Sequence, residues 1–195
     1  MDSTVKTKAL ILRSTPSGDA DLILHALTEE FGKVSCIAKH ARRGKKGNSI
    51  PEPLDFGLLE LKASKSNLFL LRSYSVQHGH IGLRDNLTKL STALLLCEAS
   101  DFIIPEAEEE SRKILLSLLD VLAGIEKAKD NKSVMRLCFL GLSSILDLSG
   151  YLNLDTIKQP SSHSLLKLMN LIENTAHRKL NTRSSVELLM KDLAA

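Results

Sequence analysis

Residues 21–27 read Asp21-Leu22-Ile23-Leu24-His25-Ala26-Leu27. In an extended chain this order puts Leu22, Leu24 and Ala26 on one face and Ile23, His25 and Leu27 on the other. Both faces are largely apolar, as in a strand of a small barrel or of a sheet covered on both sides. A short helix shows the same run, so the neighbouring sequence has to decide. Those neighbours are short apolar stretches bounded by Gly, Pro, Ser and Asn, the punctuation of strands. They predict five strands: Lys6 to Arg13, Asp21 to Leu27, Lys33 to Ala38, Leu54 to Ala63 and Leu68 to Val76. The connections are Ser14 to Gly18, Phe31 to Gly32, a long basic stretch after Ala38, and Ser64 to Asn67.

Beyond Gly79 and Gly82 the period changes. Leu83, Leu87, Leu90, Leu94 and Cys97 recur at three and four residues, which lines one helix face. The same spacing returns at Ile114, Leu118, Leu122 and Ile125, at Val134, Leu137, Cys138, Leu142 and Ile145, and at Leu165, Leu168, Met169 and Ile172. A last helix carries Val186, Leu189, Met190 and Leu193. Pro105, Lys129 to Lys132, Gly150 and Gln159-Pro160-Ser161-Ser162 break them apart. The expected fold is α+β: an N-terminal five-stranded OB-type β-barrel over residues 1–80, followed by a helical domain over 81–195.

The chain has 195 residues, of which 43% are hydrophobic and 25% charged, enough to bury a core and too apolar for disorder. Its longest apolar run, Ala93 to Cys97, is far short of the ~18 residues that span a membrane. At the N-terminus Ala9 to Leu12 is the only apolar block, too short for a signal peptide. A cytoplasmic protein without membrane contact is expected. Cys36, Cys97 and Cys138 are widely spaced, odd in number and set in apolar runs, so they predict neither a disulfide framework nor a zinc site.

Several catalytic patterns are missing. Gly44-Lys45-Lys46-Gly47-Asn48-Ser49 has the wrong order for a phosphate-binding loop of the G-x-x-x-x-G-K-[ST] type. No G-x-S-x-G elbow occurs. His78 and His80 share the spacing of a metal pair, but without a nearby carboxylate or cysteine the commoner arrangement is two histidines at a domain junction. Glu106, Glu108, Glu109 and Glu110 precede a helix, where negative charge complements the backbone dipole. No enzyme, no metal and no cofactor are expected.

The positive charge is unevenly spread. Residues 1–80 carry 12 Lys+Arg against 8 Asp+Glu, and residues 81–195 carry 14 against 15, so the overall surplus of +3 belongs to the first part. Lys39, Arg42, Arg43, Lys45 and Lys46 fall together, with no acid from Phe31 through Pro51. Basic runs often only hydrate a surface. On a barrel of a type that commonly binds single strands, this run reads instead as a phosphate contact, helped by Arg13, Lys33 and Arg72. With only Phe31, Phe56, Phe69 and Tyr74 as aromatics in this part, binding is expected to be mostly electrostatic. Neutralising about four phosphates, at a slope of about −0.7 each, predicts roughly a fifty-fold loss of affinity between about 50 and 200 mM salt.

Ala9-Leu10-Ile11-Leu12-Arg13, Gly18-Asp19-Ala20-Asp21-Leu22-Ile23-Leu24 and the block from Thr28-Glu29-Glu30-Phe31-Gly32-Lys33 to Ala38-Lys39-His40-Ala41-Arg42-Arg43 resemble, in order and spacing, the N-terminal part of the bacterial recombination mediators of the RecO family. Leu148-Ser149-Gly150-Tyr151 looks like that family's L-x-G-Y helix end, and Arg178-Lys179-Leu180-Asn181-Thr182-Arg183-Ser184 like its R-x-L-x-S-x-R segment. The resemblance implies a non-enzymatic protein that binds single- and double-stranded DNA and anneals complementary strands. It also implies partners: RecR, and the acidic, apolar C-terminal tail of the single-stranded-DNA-binding protein, with which such proteins help load RecA at gaps.

Two departures stand out. Many members carry a four-cysteine zinc module after the G-Y signature, whereas Leu152 to Pro160 holds no cysteine, and the length is short for the family. A tail-binding site needs a cation beside an apolar pocket; Arg136, next to Leu137 and one turn from Leu140, is a candidate, with Arg112 and Arg183 as rivals. The competing class is a protein-interaction scaffold whose helical bundle is the working surface. A hydrolase using His78, His80 or a serine is weaker.

Overall fold

The computed structural model describes residues 4–43, 50–64, 68–106, 111–153 and 159–192. The chain divides into two compact units, Met1–Gly79 with Pro105–Leu115, and His80–Ile104 with Leu116–Ala195. Residues 105–115, expected in the helical part, group with the first unit.

The first unit is a closed OB-type barrel of β1 (Thr4–Ser17), β2 (Asp21–Thr28), β3 (Lys33–Ala38), β4 (Phe56–Lys62) and β5 (Phe69–His78), in the order β1-β2-β3-β5-β4. A 3₁₀ turn, Ala41–Arg43, follows β3. The alternation along β2 has the expected result: Leu22, Leu24 and Ala26 pack inside with Ala9, Ile11, Val34, Cys36, Ala38, Leu59 and Leu61. Leu27 on the other face is also fully buried, with Leu10. Closure rests on a short parallel pairing, Cys36 with Phe69 and Ile37 with Leu70.

One strand end differs from expectation. The run Ser14 to Ser17 is not a turn; β1 continues through it, pairing Pro16 with Leu22 and Ser17 with Asp21, and the turn is Gly18 to Ala20. β1 pairs with β4 only from Thr4 to Leu10, so a proline without an N–H breaks no ladder bond on that open edge.

The second unit contains α1 (Ile81–Arg84), α2 (Leu87–Ile103), most of α3 (Ser111–Lys127), α4 (Asn131–Leu148), α5 (Ser162–Ala176) and α6 (Arg183–Asp192). The expected apolar faces of α3 and α5 are buried. The first helical stretch is not one helix. Asn86 caps α2, accepting from Lys89 N at 3.0 Å, and leaves Leu87 69% exposed, so Leu83 and Leu87 do not share a face. α2 is buried nearly all round, through Thr88, Thr92, Ala93, Leu95, Leu96, Cys97, Ala99 and Ser100. Asp130 and Ser161 cap α4 and α5 in the same way, each accepting from the backbone N–H three residues on. Leu193 lies outside the described residues. No helix among the described residues is long and apolar enough to cross a membrane.

The segment Arg178 to Ser184 is held by two carboxylates. Glu98 on α2 accepts from Asn181 N and Nδ2 and from Thr182 N and Oγ1, at 2.6 to 3.0 Å. Buried Glu173 accepts from Leu180 N at 3.0 Å, from Arg183 Nη1 at 2.7 Å and from Lys179 Nζ at 3.1 Å. Burial pushes the Glu173 carboxyl up, but these donors outweigh it and hold it below the usual carboxylate range. The resulting stability is present above the unfolded-state pKa and is lost as pH falls through the lowered folded value. Glu173→Gln is expected to cost about 3 kcal/mol at neutral pH by leaving Arg183 without its buried counter-charge. Urea melts of the variant at neutral and acid pH test this, the difference from wild type shrinking as pH falls below about 4.

Candidate nucleic-acid interface

Lys39, Arg42 and Arg43 come together where β3 ends beside the β1–β2 turn. The register brings Ala38 opposite Leu22 and Asp21 opposite Ser17, so the residues after Ala38 run past Gly18 to Ala20. Asp21 Oδ1 accepts from His40 N at 2.7 Å, Arg42 N donates to Ala20 O at 2.8 Å, and Arg43 N closes the turn on His40 O at 3.1 Å. His40 has φ 57, a left-handed conformation that costs a side-chain-bearing residue roughly 1 kcal/mol and is held here by these bonds. Arg42 Nη1 also donates to Gly18 O at 3.2 Å. All three cations are exposed, so fixed backbone carries three accessible positive charges at one end of β3.

Arg72 joins this end. β3 and β5 run parallel with Ile37 opposite Leu70, so Lys39 and Arg72 each lie two residues further on in the same direction. Arg72 is the extra residue of a bulge, between Leu71 opposite Leu61 and Ser73 opposite Glu60, and it is exposed. Asp19 and Asp21 offset part of the charge nearby. Lys45 and Lys46 lie outside the described residues.

Arg13 and Lys33 are placed differently. Arg13 sits opposite His25, and His25 opposite Ser35, so these three form a row on the outer face of β1, β2 and β3. Lys33 is at the start of β3, opposite Leu27, and the length of that strand, ~20 Å at ~3.3 Å per residue, separates it from Lys39. The eight expected cations are therefore not one patch. Lys39, Arg42, Arg43 and Arg72 gather at one end, Arg13 is midway, and Lys33 is at the other. Sequence reading also passed over Lys6 and Lys8, both exposed on β1 opposite Glu60 and Leu58. Their signal was the alternation Lys6-Thr7-Lys8-Ala9, in which Thr7 and Ala9 are buried.

In the helical unit Arg136 does lie beside an apolar pocket. A cavity of about 500 Å³ is lined by Lys132, Met135, Arg136 and Phe139 of α4, Leu165 of α5, Met190 of α6, and Pro160 to Ser162 at the start of α5. It combines two cations and a helix N-terminus with an apolar wall. Arg183 lines a neighbouring cavity of about 390 Å³, but its guanidinium is bound to Glu173, Glu187 and Asn170, each at 2.7 Å. Arg112 is exposed in the first turn of α3 and lines neither cavity.

The buried cysteines are structural. Cys36 and Cys138 are buried, and burial pushes each thiol up to about 12, far from a thiolate nucleophile. His80 does find a carboxylate, because Glu126, remote in sequence, lies 3.4 Å from its Nδ1 and accepts from Gly82 N at 2.9 Å. His78 is exposed at the end of β5.

Comparison with known proteins agrees with the barrel. Residues 1–80 match the family model described as recombination protein O N terminal. The chain is 30% identical over 146 residues to the DNA repair protein RecO of an Anaeromyxobacter species, covering 72% of this chain and 56% of that one. It is 30% identical over 159 residues to that of Thermodesulfovibrio yellowstonii, covering 78% and 62%. With that of Dehalococcoides mccartyi it shares 32% over 150 residues, covering 75% and 56%. The matched stretch thus spans little more than half the length of these relatives. A recombination protein O N-terminal match on a five-stranded OB barrel makes residues 1–80 a RecO-type N-terminal domain, and similarity to RecO proteins continues from it into the helices.

Proposed function

We propose that this chain is a non-catalytic recombination mediator in DNA repair that binds single- and double-stranded DNA through phosphate contacts and anneals complementary strands. The observation that carries this is the gathering of Lys39, Arg42, Arg43 and Arg72 at one end of the barrel, three of them on the hydrogen-bonded backbone around His40. In an OB-fold the β2–β3 face and the β1–β2 loop are where single strands commonly lie, and these cations border both. Lys45 and Lys46, next in the chain, add to them, with Arg13 extending the track along the outer face. Cations that screen two phosphate chains lower the repulsion between complementary strands while leaving the bases free to pair, so annealing needs no covalent step.

With RecR, the protein would help load RecA onto gaps coated by single-stranded-DNA-binding protein. The cavity around Arg136 suits the C-terminal tail of that coat protein, since a terminal carboxylate meets Lys132 and Arg136 while its apolar side chains meet Phe139, Leu165 and Met190. Arg136→Ala is expected to weaken binding of a labelled acidic peptide with an apolar C-terminus by about tenfold, a loss of ~1.4 kcal/mol. Arg112→Ala should leave it unchanged. An equal effect of both substitutions would count against the cavity. The defining test of the DNA reading is titration of a labelled single-stranded oligonucleotide at several salt concentrations, where a flat salt response would refute it. Loss of partner binding, without loss of DNA binding, on reversing charge at Arg42 and Arg43 would instead favour the scaffold.

A further inference from the structure

Glu106 is not used at a helix start. The residue pairs as a parallel bridge with Lys33, alongside β3 just before that strand begins to pair with β5. Its Oε1 accepts from Ser35 Oγ at 2.7 Å. Ser35 is the last member of the outer row Arg13, His25, Ser35, and Lys33 is its neighbour on the same face of β3. A carboxylate is therefore fixed alongside β3, beside Lys33 and at the far end of the strand from Lys39. Pro105 and Glu106 themselves belong to the barrel unit, although the helix before them does not. Both are exposed, so the bridge is not a buried packing requirement.

A phosphate approaching Lys33 meets an anion already held beside it by the buried Ser35 hydroxyl. We infer that Glu106 is a built-in competitor for phosphate, a specificity-determining residue that shuts the Lys33 end of the β2–β3 face and confines DNA to the Lys39 end. The inference rests on the DNA-binding reading above. Repulsion between the carboxylate and a phosphate is screened by salt, so the restriction should be strongest at low ionic strength. Removing it opens about one more phosphate contact, which steepens the salt dependence as well as raising the affinity.

Glu106→Gln separates this from a merely structural clasp, because the amide oxygen still accepts from Ser35 and the backbone bridge is untouched. Anisotropy titrations of a labelled single-stranded oligonucleotide, with thermal melts to verify folding, are expected to show about three- to tenfold tighter binding at low salt. The slope of log K against log salt should steepen by about 0.7. Lys33→Ala in the Glu106→Gln background should cancel most of the gain, while Lys33→Ala alone should change little. Salt-dependent binding by wild type with an unchanged Glu106→Gln variant would overturn the competitor and leave the DNA reading standing. Absence of binding by both proteins would overturn the two together.

Discussion

Arg42→Glu with Arg43→Glu is expected to lower affinity for single-stranded DNA by roughly a hundredfold or more at about 50 mM salt, because two phosphate contacts become two repulsions. The slope of log K against log salt should flatten by about 1.4, two contacts at about 0.7 each. Both side chains are exposed, and the turn that carries them is held by backbone bonds and by Asp21, so the substitutions leave the barrel's packing intact. Among the described residues the side-chain bond lost is that from Arg42 Nη1 to Gly18 O. The check is an anisotropy titration across salt with a melt of each protein. Unaltered binding by a folded variant would mean that DNA takes a path that avoids this end of β3. The same variant also separates the two classes of function: loss of DNA binding with protein partners retained by the helical unit supports the mediator, whereas loss of partner binding alone favours the scaffold.

The placement of these arginines explains which parts of the site were legible in sequence. The basic run was visible because its cations are adjacent in the chain, and adjacency survives folding in a turn. Arg72 shares that end only through the parallel β3–β5 pairing, a long-range register that no local period encodes. Lys33 lies in the same strand as Ala38, so sequence proximity suggested one patch, whereas an extended strand carries its two ends far apart. The role of Glu106 was hidden for a related reason. Its glutamate neighbours and the helix that follows pointed to a dipole effect, while its partner Ser35 is distant in sequence.

The barrel was more readable than the boundaries of its elements. Alternation in β2 and β3 is decided by burial on the inner face, and this matches the expected strands at those positions. Ser14-Thr15-Pro16-Ser17 has the composition of a turn, but pairing with β2 prevails because a proline on an unpaired edge costs nothing. In the helical unit, leucines at three- and four-residue spacing gave the faces of α3 and α5. They misplaced the first helix because Asn86 starts a new one, and because α2 is surrounded by protein and has no single apolar stripe.

Gly57 makes the second large prediction, on stability. It is the second residue of β4, beside a bulge in the pairing with β5, and a Cβ built there would lie 2.2 Å from Ser75 O and 3.0 Å from Val76 Cα. Both are backbone atoms of the paired strand, so no side-chain rotation relieves the clash and the two strands must separate. Gly57→Ala is expected to cost about 3 kcal/mol or more, equivalent to roughly 12 to 24 °C in the barrel's melting temperature for a unit of this size. Gly18 offers the contrast. It has φ +53, but a Cβ there meets nothing within 4 Å, so Gly18→Ala bears only the conformational cost of about 1 kcal/mol. The two variants separate fold from surface, since Gly57→Ala should lose DNA binding in step with barrel unfolding as temperature rises. Gly18→Ala should keep the fold at ambient temperature, and any loss of affinity then reports on the turn that supports Arg42. Equal melting temperatures for the two variants would show that β4 and β5 accommodate the methyl group by sliding, and that the close approach at Gly57 does not fix their spacing.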